Sequence, residues 1–130
     1  MNALCLTVAG AIQAVLSTTT FTLAWTHSVE KVRWEEDYRI KDGGLQLREA
    51  RIQGSGAGME PPADAVFENG WWRYRSASGT LESLHLARSA YTEDYTLCWG
   101  GQCQSLTDLI GKPPERGDTE LFPCMGAQEP

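Results

Sequence analysis

Two ionisable residues, His27 and Glu36, lie in an otherwise apolar and aromatic pattern in the first third of the chain. Alternation predicts one strand that ends near His27 and another that begins near Trp34, and a turn over residues 29–32 then pairs His27 with Trp34. His27 and Glu36 would share one face as diagonal neighbours, within reach of long side chains. A carboxyl group among aromatic rings must be paired, hydrogen-bonded or protonated.

Three interpretations of this pair stay open. It is a buried pair that fixes the register of the hairpin, the polar floor of a small-molecule site with aromatic walls, or the acid–base pair of a small enzyme. The sequence has no G-x-S-x-G nucleophile elbow, and Ser28 beside His27 in a strand would point to the opposite face, so we expect binding rather than catalysis. The candidate ligand-binding residues are the polar His27, Ser28 and Glu36, the aromatic Trp25, Trp34 and Tyr38, and the glycines Gly56 and Gly58.

Those two glycines belong to a Gly-Ser-Gly-Ala-Gly segment at residues 54–58. Successive glycines allow backbone N–H groups to converge on an anion, and the alternative is a corner where the chain changes sheets. The segment is not a P-loop, because no Gly-Lys-Ser/Thr follows, and not a dinucleotide fingerprint, because no helix follows. We expect it at the rim of the site.

The four cysteines predict one disulfide from their spacing and leave a second open. A two-residue turn at residues 100–101 places Cys98 opposite Cys103 at a non-hydrogen-bonded position, where Cα atoms lie about 4.5 Å apart. The alternative is a pair of reduced thiols. Cys5 and Cys124, near the two ends of the chain, are a candidate second pair. A zinc site would need a matching second pair at short spacing, so we predict no metal and no cofactor.

The elements that must position these residues are short strands. Residues 1–29 contain no charged side chain, yet no basic n-region is present and polar residues interrupt the apolar run, so we expect strands there rather than a signal peptide or an anchor. About ten strands and almost no helical periodicity predict an all-β protein, either an antiparallel sandwich or a partly open barrel. We expect a single domain over residues 1–130 with its core at about 4–124.

The charge balance excludes one class of partner. With 11 basic and 17 acidic residues in 130, the net charge is -6. Nucleic-acid binding needs a basic face toward the phosphates, so we expect none.

Together these motifs resemble a family of small bacterial domains of unknown function. The resemblance rests on the His-Ser-Val-Glu-Lys run at residues 27–31, on Glu35, Glu36 and Tyr38, and on the glycine segment followed closely by prolines. It extends from the first strand to about Leu106. Genes of this family typically stand beside TRAP-type transporters that use TAXI-type solute-binding proteins. The positions that match its motifs are His27, Ser28, Glu36, Gly56 and Gly58.

The resemblance implies a compact β domain, often behind an N-terminal membrane or export segment, with an accessory role in solute uptake and no established catalysis. We therefore expect an accessory or ligand-binding protein of a TRAP-type organic-anion transporter. Its partners would be the transporter's membrane subunit or solute-binding protein, and its ligand a small organic anion. The alternatives are a structural envelope or interaction subunit, and a small acid–base enzyme that uses His27 and Glu36. Resemblance and cysteine spacing favour the periplasm or cell envelope, whereas the missing basic export signal leaves the cytoplasm open.

Overall fold

The computed structural model describes residues 2–26, 31–54, 64–75 and 79–126. These residues form eleven strands and one short helix. In chain order they are β1 (Asn2–Val8), β2 (Ala11–Leu16), β3 (Thr20–Thr26), β4 (Arg33–Lys41), β5 (Gly44–Gln53), β6 (Val66–Glu68), β7 (Trp71–Tyr74), β8 (Leu84–Leu86), β9 (Thr96–Trp99), β10 (Gln102–Ser105), α1 (Leu106–Ile110) and β11 (Thr119–Met125).

The described strands form two antiparallel sheets that share one hydrophobic core. Four strands pair in the order β2-β1-β11-β8 and seven in the order β10-β9-β3-β4-β5-β7-β6. The core joins leucines of the first sheet, such as Leu6 and Leu121, to Leu23 and Leu97 of the second and to Leu106 of α1. This confirms the predicted all-β fold, with two stacked layers and no closed barrel among the described strands.

The uncharged start of the chain forms core strands, as predicted for residues 2–26. β1 lies between β2 and β11, and Leu4 and Leu6 on its inner face are fully buried. Ala3, Cys5 and Thr7 on its opposite face are buried as well. A charged side chain on either face of β1 would lose its hydration without a counter-ion, which explains why this strand carries none.

Four hairpins are closed by two-residue turns in which both residues have positive φ. This is the turn geometry that matches the twist of antiparallel strands. The turn at residues 100–101 was predicted, and those at 42–43 and 69–70 likewise contain a glycine, which adopts positive φ without steric cost. In the first turn, Ala9 and Gly10 adopt the positive φ angles.

Gly44, at the start of β5, marks a close approach between chain segments. Leu45 and Leu81 exchange backbone hydrogen bonds of 2.7 and 2.8 Å beside it, and a Cβ on Gly44 would meet the Thr80 side chain and lie 2.8 Å from the Leu81 carbonyl oxygen. We expect Gly44→Ala to lower the free energy of unfolding by about 1–3 kcal/mol through overpacking. Urea denaturation measures this. Gly79→Ala is the matched control, because open space surrounds Gly79, and an equal loss in the control would contradict the steric explanation.

The largely buried ion pair of Arg88 and Asp94 connects the loop before β9 to α1 and β11. Arg88, whose side chain is 1% exposed, donates to both carboxylate oxygens of Asp94 at 3.0 and 2.8 Å. It also donates to the Gly111 carbonyl oxygen at 2.7 Å and to Thr119 Oγ1 at 3.2 Å. Asp94 accepts a further hydrogen bond from the Thr107 hydroxyl at 2.6 Å. The alternation pattern of the sequence did not predict this cluster, because its members lie in loops and at the ends of strands and the helix.

Candidate functional site

The β3–β4 pairing has a different register from the predicted one. Trp25 lies opposite Trp34, and Leu23 lies opposite Glu36. The predicted pairing of His27 with Trp34 was therefore wrong by two residues. β3 ends at Thr26 and β4 begins at Arg33. The shift changes the partners but leaves each side chain on its predicted face, because a shift of two residues is even.

The predicted aromatic face is present despite this shift. The Trp25 and Trp34 rings stack with centroids 5.9 Å apart, and Tyr95 tilts against Trp25 at 5.7 Å. The strand register continues this line across the sheet from Trp34 to Ile52 and then to Trp72. We call Tyr95, Trp25, Trp34, Ile52, Trp72 and the adjoining Phe67 the aromatic row.

Tyr38 is buried, unlike the half-buried Trp25 and Trp34 on the same face. It is 4% exposed and stacks on Phe21 with ring centroids 5.3 Å apart, inside the core. Its hydroxyl group nevertheless reaches the candidate site, because it donates to Glu36 Oε1 at 2.8 Å. Tyr38 therefore positions the carboxyl group of Glu36.

Glu36 lies in the row beside the aromatic row, with Leu23 and Ala50 as its register partners and Tyr74 beyond Ala50. Leu23 and Ala50 are buried, and Glu36 itself is half-buried. Burial raises the pKa of the Glu36 carboxyl above its ordinary value, against the opposing effect of the Tyr38 hydrogen bond. Burial, with the nearby Glu36 carboxyl, also raises the pKa of Tyr38 and Tyr74. Within the described residues no ion pair reaches Glu36, so no cation offsets the effect of burial on the pKa of this carboxyl group.

Two hydrogen-bond donors on the same face lack partners. The indole Nε1 atoms of Trp34 and Trp72 are buried, and in the described part of the chain neither has an acceptor. They belong to strands two positions apart in the sheet, so their Cα atoms are about 10 Å apart. A buried donor without an acceptor costs free energy, and native structures normally supply a protein group, a water or a ligand.

Glu36 should make stability depend on pH. The unfolded carboxyl has a pKa of about 4.3, and the folded one lies higher. The folded state thus binds more protons between these two values, and stability falls as pH rises through this window. We expect Glu36→Gln to remove this fall, so that its stability relative to the wild type increases from pH 4 to pH 7. Urea denaturation at both pH values tests it, and a parallel decline in both proteins would contradict the assignment.

The opposite face of the seven-stranded sheet is charged, as the alternation predicted. Arg51 donates to both carboxylate oxygens of Asp37 at 2.7 and 2.9 Å, and also contacts Glu35 and Glu49. Thr22 donates to Asp37 at 2.7 Å. Burial would raise the pKa of Asp37, but the hydrogen bonds from Arg51 and Thr22 hold it below its ordinary value. The charges of this network therefore pair with one another.

Both candidate disulfides are present. Cys98 and Cys103 are direct register partners with Cα atoms 4.0 Å apart, and Cys5 bonds to Cys124 with Cα atoms 5.9 Å apart. Cys98 also lies opposite Thr22 of β3, on the charged outer face. A cleft of about 540 Å³ runs along this disulfide and is also lined by Asp37 and Arg48.

One arrangement of chemical groups was missed from the sequence. The exposed His85 shares a hydrogen bond with Asp118 at Nδ1 and a second one, of 3.2 Å, with Ser83 Oγ at Nε2. The order resembles a Ser-His-Asp triad, but Nε2 also lies 3.1 Å from Glu120. The Asp118 hydrogen bond and the two nearby carboxylates raise the pKa of His85, which favours the imidazolium and opposes a general-base role. Ser83 and Asp118 lie 35 residues apart on paired segments, and only the β8–β11 pairing brings them together.

The described residues contain neither a helix that could span a membrane nor a cluster of metal ligands. No helix there combines the length and the apolar character needed to cross a membrane. No group of three or more His, Cys, Asp or Glu side chains in the same ranges could hold a metal ion.

Comparison with known proteins places the chain in a family. A sequence profile described as "Domain of unknown function (DUF1850)" matches residues 21–106, about two thirds of the chain. The chain belongs to the DUF1850 family. The search of curated proteins and the search of solved structures gave no match. The DUF1850 range contains β3 to β10, so the whole seven-stranded sheet belongs to the family region, whereas β1, β2 and β11 lie outside it.

The DUF1850 region contains every candidate ligand-binding residue. Of these, Trp25, Trp34, Glu36 and Tyr38 are described and lie on one face of one sheet. His27, Ser28, Gly56 and Gly58 lie outside the described residues, and their place in the site stays a prediction. Trp72 and Tyr74 were missed, although their alternation with Arg73 could have placed them on the same face once β5 and β7 were paired.

Proposed function

We propose that this protein binds a small organic anion as an accessory of a TRAP-type transporter that uses a TAXI-type solute-binding protein. The observation that supports the binding site is the pair of buried indole N–H groups of Trp34 and Trp72, which have no acceptor among the described residues, beside the half-buried Glu36 carboxyl. The transporter association rests on the resemblance of the sequence motifs. Family membership is compatible with it and assigns no activity.

The chemistry suits a carboxylate ligand. An indole N–H donates and cannot accept, so each buried tryptophan needs an oxygen acceptor. A neutral Glu36 carboxyl can donate its O–H to a ligand oxygen, whereas an ionised one would repel an anion. The aromatic row supplies apolar surface for the carbon skeleton of the ligand. Affinity for a carboxylate should therefore fall as pH rises through the folded pKa of Glu36.

The disulfides bear on the compartment. Structural disulfides persist in oxidising compartments and are rare in a reducing cytosol. Two of them in a chain of 130 residues support a place in the periplasm or cell envelope, where a solute-binding protein would be within reach.

Affinity purification and genetics test the transporter association. The wild-type protein, with an affinity tag on the full chain, should retain the transporter's membrane subunit or its solute-binding protein, and deletion should slow growth on the transported acids. Trp34→Phe removes a donor and should weaken complementation, whereas Trp71→Phe makes the same change on the opposite face of β7. Absence of both association and growth defect would contradict the transport role. Equal effects of the two variants would contradict the assigned site.

A structural or interaction subunit is the second candidate, and one observation favours it. The edge strand β6 exposes two large apolar residues, with Val66 at 58% and Phe67 at 52%. An exposed apolar edge suits contact with another protein. Association that persists in Trp34→Phe but is lost in Val66→Ser, at a residue outside the aromatic row, would favour this candidate. The small acid–base enzyme that uses His27 and Glu36 stays a prediction, because His27 lies outside the described residues.

A further inference from the structure

The two disulfides differ in their exposure to solvent. Cys5 is 3% exposed and lies in β1, inside the four-stranded sheet, and its partner Cys124 in β11 is half-buried. Cys103 is exposed and lies in β10, the outermost strand of the seven-stranded sheet, and Cys98 is half-buried beside it. Exchange needs a thiolate to reach a disulfide sulfur, so access separates the two bonds.

The hairpin that carries Cys98 and Cys103 is held by contacts other than its disulfide. β9 and β10 form four consecutive register pairs. Leu97 and Leu106 at the base of the hairpin are fully buried, and the Leu106 N–H donates to the Tyr95 carbonyl oxygen at 2.9 Å. The sequence separation of the two cysteines is 5, against 119 for Cys5 and Cys124. A short loop restricts the unfolded chain less than a long one, so this bond stabilises the fold less than the Cys5–Cys124 bond does.

A cation lines the cleft that runs along this disulfide. Arg48 is the extra residue of the β4–β5 bulge, and it lines the same cleft as both cysteines. The carboxylate that shares this cleft, Asp37, is already held by Arg51 and Thr22. A nearby cation stabilises a thiolate, and a more stable thiolate leaves faster.

We infer that the Cys98–Cys103 disulfide is a site of thiol–disulfide exchange with a dithiol protein, whereas the Cys5–Cys124 disulfide is structural. A thiolate of the partner attacks the exposed Sγ of Cys103 and forms a mixed disulfide, and the bonding electron pair leaves with Sγ of Cys98. The second thiolate of the partner then attacks its own sulfur in the mixed disulfide and releases Cys103 as a thiolate. Protons from water convert both cysteines to thiols. Two electrons pass, and the partner's dithiol becomes a disulfide.

Reduction of the folded, full-length protein tests this inference. The protein is incubated at pH 7 without denaturant, with dithiothreitol or with a reduced Cys-x-x-Cys protein as the probe, then alkylated and analysed by peptide mass spectrometry. We expect Cys98 and Cys103 to be alkylated at least about tenfold faster than Cys5 and Cys124, with an unchanged far-ultraviolet circular dichroism spectrum. Equal rates for the two disulfides, or opening only when the spectrum is lost, would overturn the inference.

A substitution tests the role of the cleft. Arg48→Gln should slow the opening of Cys98–Cys103 severalfold at pH 7 and leave Cys5–Cys124 unchanged, because thiolate stabilisation is lost. Lys41→Gln is the matched control on the same hairpin, since Lys41 does not line the cleft. An equal change in both variants would overturn the role given to Arg48.

Discussion

Asp94→Ala is expected to lower the free energy of unfolding by about 3–5 kcal/mol, because it leaves the guanidinium group of Arg88 buried without a counter-ion. Arg88 is 1% exposed and Asp94 11%, so water cannot replace the lost carboxylate. The substitution also removes the acceptor of the Thr107 hydroxyl. The free energy of unfolding of a typical domain is about 5–15 kcal/mol. Urea denaturation should therefore show that the variant retains only a small part of the wild-type stability.

A surface pair gives the control for Asp94. Arg33 and Glu35 lie 3.5 Å apart with side chains 32% and 26% exposed, and such pairs contribute about 0–1 kcal/mol. Arg33→Gln should therefore change the unfolding midpoint little. A loss below about 1 kcal/mol in Asp94→Ala would contradict the account of the buried pair.

Acid should lower the free energy of unfolding of the wild-type protein by protonating Asp94. Burial would raise the pKa of Asp94, but hydrogen bonds from Arg88, Thr107 and the Tyr95 N–H hold it below its ordinary value. The pair is therefore fully formed above the unfolded pKa of about 3.9 and is lost as pH falls through the folded pKa. Asp94→Ala should lack this part of the acid loss. The direction is opposite to that expected for Glu36, so the two groups can be separated by pH.

Removal of the Cys5–Cys124 disulfide is the second large effect. These cysteines are 119 residues apart, and a disulfide that closes a loop of about 100 residues restricts the unfolded chain by about 4.7 kcal/mol in the loop-entropy model. We expect Cys5→Ala with Cys124→Ala to lower the free energy of unfolding by about 4–5 kcal/mol. Thermal and urea denaturation of the double variant measure the loss.

Cys98→Ala with Cys103→Ala is the control for this disulfide. It closes a much shorter loop, so the same model gives a loss of about 2 kcal/mol. We expect the loss of free energy of unfolding to be larger for the Cys5–Cys124 pair than for the Cys98–Cys103 pair. A larger loss from the Cys98–Cys103 pair would contradict both the loop-length argument and the separation of a structural from an exchangeable disulfide.

Local patterns predicted much of this fold. Turn residues such as Asn69 and Gly70 marked the hairpins, and alternation assigned Trp34, Glu36 and Tyr38 to one face. The two-residue turn at 100–101 was sufficient to pair Cys98 with Cys103. These features depend on neighbours in the sequence, so a single sequence contains the information.

Features that depend on distant segments were not predictable in the same way. The β3–β4 register needed the length of the connection at 27–32, and alternation fixes a face but not a register shifted by two residues. Arg88 and Asp94 meet in a loop that only the packing of α1 and β11 buries. The neighbours that isolate Glu36 come from β5, β7 and the segment before β9, and Tyr74 is brought near only by the strand order of the sheet.

The claim that the Glu36 face binds an organic anion is tested most directly by nuclear magnetic resonance of the indole N–H groups. Five tryptophans give five such signals, and Trp71 and Trp99 act as internal references. During titration with succinate and with benzoate, we predict saturable downfield shifts of the Trp34 and Trp72 signals, larger at pH 5 than at pH 8. Signals that do not move, or that move equally in Trp71 and Trp99, would contradict the claim.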